Sequence, residues 1–138
     1  MKDIRTAMEG ETVGSIVADP ITRHVLALYC GASGDHNPIH VDIDFAKAAG
    51  MPDVFAHGML SMAFLGRLVT VLAPQSALRS FGTRFASITA LGSEITCTAK
   101  LLSRFEEAGE SRARLELIAT DQNKDIKLLG EAVVALPN

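Results

Sequence analysis

The first half of the chain combines a strand pattern with helical periods. Residues 12–19 predict a short first strand. Thr22 is placed to cap a helix, because apolar residues follow it at helical spacing: Val25, Leu28, Tyr29 and Ala32. We expect this helix to end shortly before Gly34, since glycine readily adopts the backbone conformation that terminates helices.

A long apolar segment occupies the centre of the chain. Before it, a short helix capped by Asp44 is predicted to run through Ala49, with Gly50 as its stop. From His57 onward nearly every position is apolar, which predicts a helix over about residues 58–73. A helix that is apolar almost all round must be enclosed by other structure.

The second half of the chain shows the alternation of apolar and polar residues that is typical of strands. The predicted strands are residues 78–88, 95–101, 113–119 and 127–136. Residues 106–110 and 121–125 have the composition of hairpin turns. We therefore expect these four strands to form an antiparallel meander.

The most economical packing of these elements wraps a curved antiparallel sheet around the apolar helix. The fold class is then α+β, and the sheet covers one side of the helix. We expect a second subunit to cover the remaining apolar surface.

Length and composition are those of an ordinary globular domain. The 138 residues predict a single domain over residues 1–138, with 48% hydrophobic and 21% charged residues. The net charge of −3 and the absence of a basic stripe argue against nucleic-acid binding. Residues 59–73 are interrupted by polar side chains and are too short to span a membrane.

The cysteines and the N-terminus indicate a cytoplasmic protein. Cys30 and Cys97 are far apart and lie in apolar periodic segments, so we expect buried thiols and no disulfide. The first residues lack the apolar run of a signal peptide.

The most chemically dense stretch is residues 33–40, which reads Ser-Gly-Asp-His-Asn-Pro-Ile-His. Gly34 permits unusual backbone angles and Pro38 restricts them, so the stretch is predicted to be a rigid loop that is neither helix nor strand. Loops that concentrate ionisable groups are often functional sites. The alternative is a polar turn in which Asp35 and Asn37 merely bond their own backbone.

These residues resemble a known family. Tyr29, the run Gly34-Asp35-x-Asn37-Pro38-Ile39-His40 and the later His57-Gly58-Met59-Leu60 resemble the R-specific enoyl-CoA hydratases, the MaoC-like (hydratase 2) group of hot-dog proteins. Thr83-Arg84-Phe85 also resembles the Arg-Phe of that family after its central helix. The resemblance implies a hot-dog fold, which agrees with a sheet wrapped around one helix.

The resemblance implies the addition of water to a trans-2-enoyl thioester, giving an R-3-hydroxyacyl thioester, and the reverse dehydration. Asp35 and His40 would then be the catalytic pair, since this reaction needs both a base for water and an acid for the α-carbon. Gly58, at the start of the apolar helix, would help to bind the thioester oxyanion, because helix N-terminal amides attract negative charge. Which member of the pair is the base stays open, and no cofactor is implied.

Several neighbouring residues have two readings each. His57 is either a helix-start residue or part of the pocket wall, and Asn37 is expected to lock the loop or bond the catalytic groups. Arg84 binds either a ligand phosphate or a partner charge at a dimer interface. A metal site is the weaker alternative for a cluster of Asp35, His36, His40 and His57, since no ligand spacing typical of metals is present.

The resemblance also leaves alternative functions and partners open. The substrate would be an acyl-CoA or, in a dehydratase of type II fatty acid synthesis, an acyl carrier protein thioester, in some cases with a partner subunit. A non-catalytic hot-dog module that binds acyl thioesters would not need both Asp35 and His40. A hot-dog thioesterase is a further alternative, although this loop does not resemble that chemistry. We expect a homodimer, with a heterodimer or higher oligomer as the alternative.

Overall fold

The structure, a computed structural model that describes residues 1–136, is a five-stranded antiparallel sheet with one long helix packed against it. The strands are β1 (Thr12–Val17), β2 (Leu78–Phe85), β3 (Thr96–Glu107), β4 (Glu110–Thr120) and β5 (Ile126–Ala135). The helices are α1 (Arg23–Ser33), α2 (Ile43–Ala48) and α3 (Gly58–Leu72), with one-turn 3-10 helices at Pro38–His40 and Gln75–Ala77. The predicted α+β class with a curved sheet against a helix is confirmed.

The predicted four-stranded meander is wrong. The strand order is β1-β3-β4-β5-β2, so only β3, β4 and β5 are joined as consecutive hairpins. β2 crosses to the far edge and pairs with β5, from Leu78 opposite Val134 to Phe85 opposite Leu128. β1 takes the place beside β3 that a meander would have given to β2.

The core lies between α3 and the inner face of the sheet. Leu65 and Leu68 of α3 are fully buried, as are alternate residues of the central strands: Cys97, Ala99, Leu101, Ala113, Leu115, Leu117 and Ala119. The opposite side of α3 is open, with Met59 53% exposed and Val71 62% exposed. The chain alone therefore encloses only one side of its most apolar helix. Within residues 1–136 no helix is long and apolar enough to cross a membrane.

Local capping positions the segments that carry the candidate site. Thr22 caps α1 as predicted, accepting a hydrogen bond from Val25 N at 3.1 Å, and Gly34 follows with φ of +74°. The predicted cap of α2 is wrong, because Asp42 and not Asp44 accepts bonds from the first amides of that helix.

The loop after α1 also differs from expectation. The sequence predicts no helix in residues 33–40, but Pro38–His40 forms one turn of 3-10 helix. The amides of Val41 and Asp42 both bond to the Pro38 carbonyl. The turn therefore ends just before Asp42, and Asp42 is the residue placed to cap α2, two residues earlier than the predicted cap at Asp44. The proline at its start suits this turn because it has no amide to satisfy.

Candidate active site

The loop that carries Asp35 is ordered by short-range bonds from side chains to its own backbone. Asp35 Oδ1 accepts from Asn37 N at 3.2 Å, and Asn37 Oδ1 accepts from Ile39 N at 3.1 Å. Asn37 thereby caps the 3-10 turn that ends in His40. The carboxylate of Asp35 stays exposed, whereas the His40 side chain is turned inward and the residue is 8% exposed.

Two reciprocal hydrogen bonds join this loop to the start of α3. His40 Nδ1 donates to the carbonyl of Phe55 at 2.7 Å, and His57 Nε2 donates to the carbonyl of Asp35 at 3.2 Å. A carbonyl oxygen only accepts hydrogen bonds, so each of these ring nitrogens carries the proton. The basic nitrogen of neutral His40 is therefore Nε2, and that of His57 is Nδ1.

The ring of His57 is buried and packs beneath the ring of His40. The two imidazole rings stack with centroids 3.8 Å apart and planes 27° apart, and Tyr29 packs edge-on to His57 at 4.9 Å. His57 is 1% exposed, and its Nδ1 has no hydrogen-bond partner among the described residues. Burial lowers the pKa of His57, and a positive charge on His40 would lower it further, although the bond to the Asp35 carbonyl acts in the opposite direction. His57 is thus a neutral ring at neutral pH.

The structure brings together three of the four residues named for a metal site. One donor atom each from Asp35, His40 and His57 lies within 4.8 Å of the others, whereas His36 is exposed and outside this group. Imidazole lone pairs lie in the plane of the ring, so two stacked rings direct them side by side and not toward one ion. This geometry suits a water molecule held between Asp35 and His40 better than a metal ion.

An apolar groove opens at the N-terminus of α3. It has a volume of about 320 Å³ and is lined by Phe55, Ala56, Gly58, Phe85, Ala86, Ser87, Ile88, Thr89 and Leu128. Gly58 has a packing role that the sequence did not reveal, since a Cβ there would lie 2.8 Å from Cδ1 of Phe85. No side chain among residues 1–136 caps α3, so its first amides face the groove region without a side-chain competitor.

Sequence reasoning missed most of this groove and the contact of Tyr29. The sequence predicts a strand that includes residues 86–88, but β2 ends at Phe85 and the chain then bends to form one wall. Tyr29 appeared only as part of the family motif, although its ring packs on His57 and both burial and the charge of Asp35 raise its pKa. Arg84 is exposed and forms no ion pair within the described residues, so neither of its two readings is decided.

Comparison with known proteins places this arrangement in a family. Residues 5–120 match the MaoC like domain family. The chain is 31% identical over 121 residues to the 3-hydroxyacyl-thioester dehydratase Z of Mycobacterium tuberculosis, covering 83% of this chain and 79% of that protein. It is 34% identical over 112 residues to the fatty acid synthase subunit beta of Aspergillus oryzae, covering 78% of this chain but only 5% of that protein.

Solved structures show the same fold. The R-hydratase PhaJ1 of Pseudomonas aeruginosa superposes with a TM-score of 0.84 at 23% identity, covering 99% of this chain and 86% of that one. The (R)-hydratase of A. caviae involved in PHA biosynthesis gives a TM-score of 0.81 at 22% identity, with 96% and 99% coverage. The chain therefore belongs to the MaoC-like dehydratase family and is a hydratase/dehydratase enzyme with the hot-dog fold.

Proposed function

We propose that this enzyme adds water to trans-2-enoyl-CoA to give (R)-3-hydroxyacyl-CoA and catalyses the reverse dehydration. The observation that carries the proposal is the pair of reciprocal bonds between the loop of Asp35 and the start of α3. These bonds hold the catalytic candidates beside a helix N-terminus that opens onto an apolar groove. Phe55, whose carbonyl orients His40, also lines this groove, which supports placing the water-activating pair next to the proposed oxyanion and acyl sites.

In the proposed reaction, His40 acts as the base. Its Nδ1 proton is committed to the Phe55 carbonyl, which leaves Nε2 as the nitrogen that accepts a proton from water. Asp35 accepts a hydrogen bond from the same water and orients its oxygen toward C3 of the enoyl group. After the C3–O bond forms, the proton held by His40 is delivered to C2, so that one water is added and both side chains return to their starting states.

The negative charge that develops on the thioester oxygen is assigned to the start of α3. The amide of Gly58 is the first of the helix, and helix N-terminal amides stabilise anions. The acyl chain occupies the groove lined by Phe85 and Ile88. His57 supports His40 from behind and Asn37 fixes the turn, so both act on the site through the catalytic residues.

An acyl carrier protein thioester is the alternative substrate. A relative named 3-hydroxyacyl-[acyl-carrier-protein] dehydratase, mitochondrial, of Arabidopsis thaliana is 26% identical over 111 residues. Both substrates share the pantetheine thioester, so the chemistry at Asp35 and His40 would be the same. Comparing kcat/KM for crotonyl-CoA and crotonyl carrier protein separates the two.

We further propose a homodimer in which the open side of α3 is covered by a second copy. Met59 and Val71 leave apolar surface on this helix that the chain itself does not bury. Light scattering measures the mass in solution, and a monomer would contradict this part of the proposal. A cytoplasmic location stays a prediction from the sequence.

The decisive experiment follows the loss of enoyl conjugation when purified protein is added to crotonyl-CoA. We expect Asp35→Asn and His40→Ala each to lose at least about 10²-fold in kcat, the range of acid–base contributions. His36→Ala is the matched control, because His36 is an exposed histidine of the same loop. Activity that survives both substitutions would sink the assigned roles, and release of free CoA would indicate a thioesterase.

A further inference from the structure

Lys127 is a buried lysine that the proposed chemistry does not use. It lies near the start of β5 and is 6% exposed, and its partner Asp121 is 5% exposed. Their side chains meet with Lys127 Nζ 3.2 Å from Asp121 Oδ2. An ammonium group is buried only at a cost unless it is paired and fully hydrogen-bonded, so the partners of Lys127 indicate what it holds in place.

Asp121 is the fixed end of this pair. Its Oδ1 accepts from Asn123 N at 2.8 Å and from Asp125 N at 3.1 Å, within the turn between β4 and β5. Burial alone would raise the pKa of Asp121, but these amide bonds and Lys127 together lower it. The carboxylate is therefore an immobile anion against which Lys127 is held.

The other partner of Lys127 belongs to the wall of the acyl groove. Lys127 Nζ donates to the carbonyl of Ile88 at 3.1 Å. The wall is attached at its two ends by backbone bonds, from Ala86 N to the Lys127 carbonyl at 2.9 Å and from Ala56 N to the Thr89 carbonyl at 2.9 Å. Between these ends the chain has left β2, and the Ile88 carbonyl is reached by the Lys127 ammonium group.

We propose that Lys127 is a positioning residue that sets acyl-chain selectivity by holding the Ile88 carbonyl and thus the wall of the groove. Lys127 does not line the groove itself, whereas Ile88 and the adjacent Leu128 do. The inference rests on the proposed function, in which this groove holds the acyl chain. A short acyl group is activated beside Gly58 and needs little of the wall, while a longer chain must pack along it.

The test uses two variants, since removing one charge of a buried pair is destabilising. Lys127→Met removes the ammonium group but leaves Asp121 charged. The double variant Asp121→Asn with Lys127→Met removes both charges and still lacks the bond to Ile88. Arg104→Met is the matched control, because Arg104 likewise donates to loop carbonyls, those of Ile4 and Ala7, but on the N-terminal segment outside the groove.

We expect the double variant to keep kcat/KM for crotonyl-CoA within about twofold of wild type. For trans-2-octenoyl-CoA we expect KM to rise about tenfold with little change in kcat, which corresponds to lost contact with roughly two methylene groups. Arg104→Met should change the kinetic constants for the two substrates by the same factor, so that their ratio stays that of wild type. An unchanged ratio of octenoyl to crotonyl activity in the double variant would overturn the inference.

Binding of saturated octanoyl-CoA, measured by calorimetry, separates this inference from the proposed reaction. If wild type hydrates no enoyl thioester but the double variant still binds octanoyl-CoA about tenfold more weakly, the reaction is wrong and the role of Lys127 stands. If wild type is active and the two proteins bind octanoyl-CoA equally, the reaction stands and the role of Lys127 is wrong.

Discussion

Replacing His57 with phenylalanine separates the stability of the site from its activity. The substitution keeps an aromatic ring under His40 and beside Tyr29, where the present ring centroids are 3.8 and 4.9 Å away. It removes the Nε2 donor to the Asp35 carbonyl and also the buried Nδ1 that has no partner within residues 1–136. The first loss is unfavourable and the second is favourable.

The terms in the free energy of unfolding nearly cancel. Loss of the hydrogen bond to Asp35 costs about 1 kcal/mol, and removal of an unsatisfied buried acceptor returns about 1–3 kcal/mol. The larger ring adds strain of about 1–3 kcal/mol in a packed site. We therefore expect a change between about 3 kcal/mol of destabilisation and about 1 kcal/mol of stabilisation, measured by urea denaturation.

Activity should nevertheless fall sharply. Without its bond to His57, the backbone that carries Asp35 is no longer held to α3, and a displacement of about 1 Å at a reacting group costs on the order of 10²-fold in rate. We expect kcat for crotonyl-CoA to fall by that factor while KM changes little. His57→Gln is the companion variant, since it retains a donor without a ring. A phenylalanine variant with kcat within about threefold of wild type would refute this role of the bond.

The pH dependence of stability gives a second readout of the same substitution. Burial lowers the pKa of His57 in the folded protein, so below its ordinary value of 6.5 the unfolded chain binds a proton that the folded chain does not. Stability contributed by neutral His57 is thus present above that pH and is lost as the pH falls, by at most about 1.4 kcal/mol per unit. His57→Phe should lack this acid-side loss.

Three further predictions concern single groups. Gly58→Ala places a Cβ 2.8 Å from Cδ1 of the Phe85 ring, which is half-exposed and can shift. We expect the free energy of unfolding to change by less than about 3 kcal/mol in denaturation. In the crotonyl-CoA assay we expect kcat/KM to fall at least about tenfold. Burial raises the pKa of the Cys97 thiol to about 12, so at pH 8 a thiol reagent should modify Cys30 in the folded protein and both cysteines only after denaturation. Asp42→Ala should lower the free energy of unfolding by about 1 kcal/mol in urea denaturation, because it removes the cap of α2.

Local chemistry explains which parts of the fold were predictable. The hydroxyl of Thr22 and the glycine at Gly34 determine both ends of α1 from within a few residues. The turn between β3 and β4 is likewise local, with Ala108 and Gly109 at φ of +53° and +75°. The cap of α2 was misplaced because Asp42 and Asp44 are chemically equal, and only the end of the preceding 3-10 turn distinguishes them.

The order of the strands depends on long-range pairing and was therefore missed. β2 has no fully buried position, and its sequence does not indicate whether its partner is the next strand or the last one. Its pairing with β5 shapes the candidate site, because it brings Phe85 opposite Leu128. Both residues then line the groove beside Gly58, together with the segment that Lys127 holds. This groove, the proposed acyl site, could not be predicted without this pairing.

The candidate catalytic residues themselves were recognisable from the motif, but the way in which they are held was not. His40 is oriented by a carbonyl of Phe55, and Asp35 is held through its own carbonyl by His57. Every residue has a backbone carbonyl, so the side chains at Phe55 and Asp35 do not indicate that their carbonyls accept these bonds. A carbonyl also cannot reverse its role when protons move, and both bonds therefore keep the same tautomers before and after water is activated. The motif supplies the candidate reacting groups, and the two bonds between segments fifteen or more residues apart supply the orientation on which the proposed reaction depends.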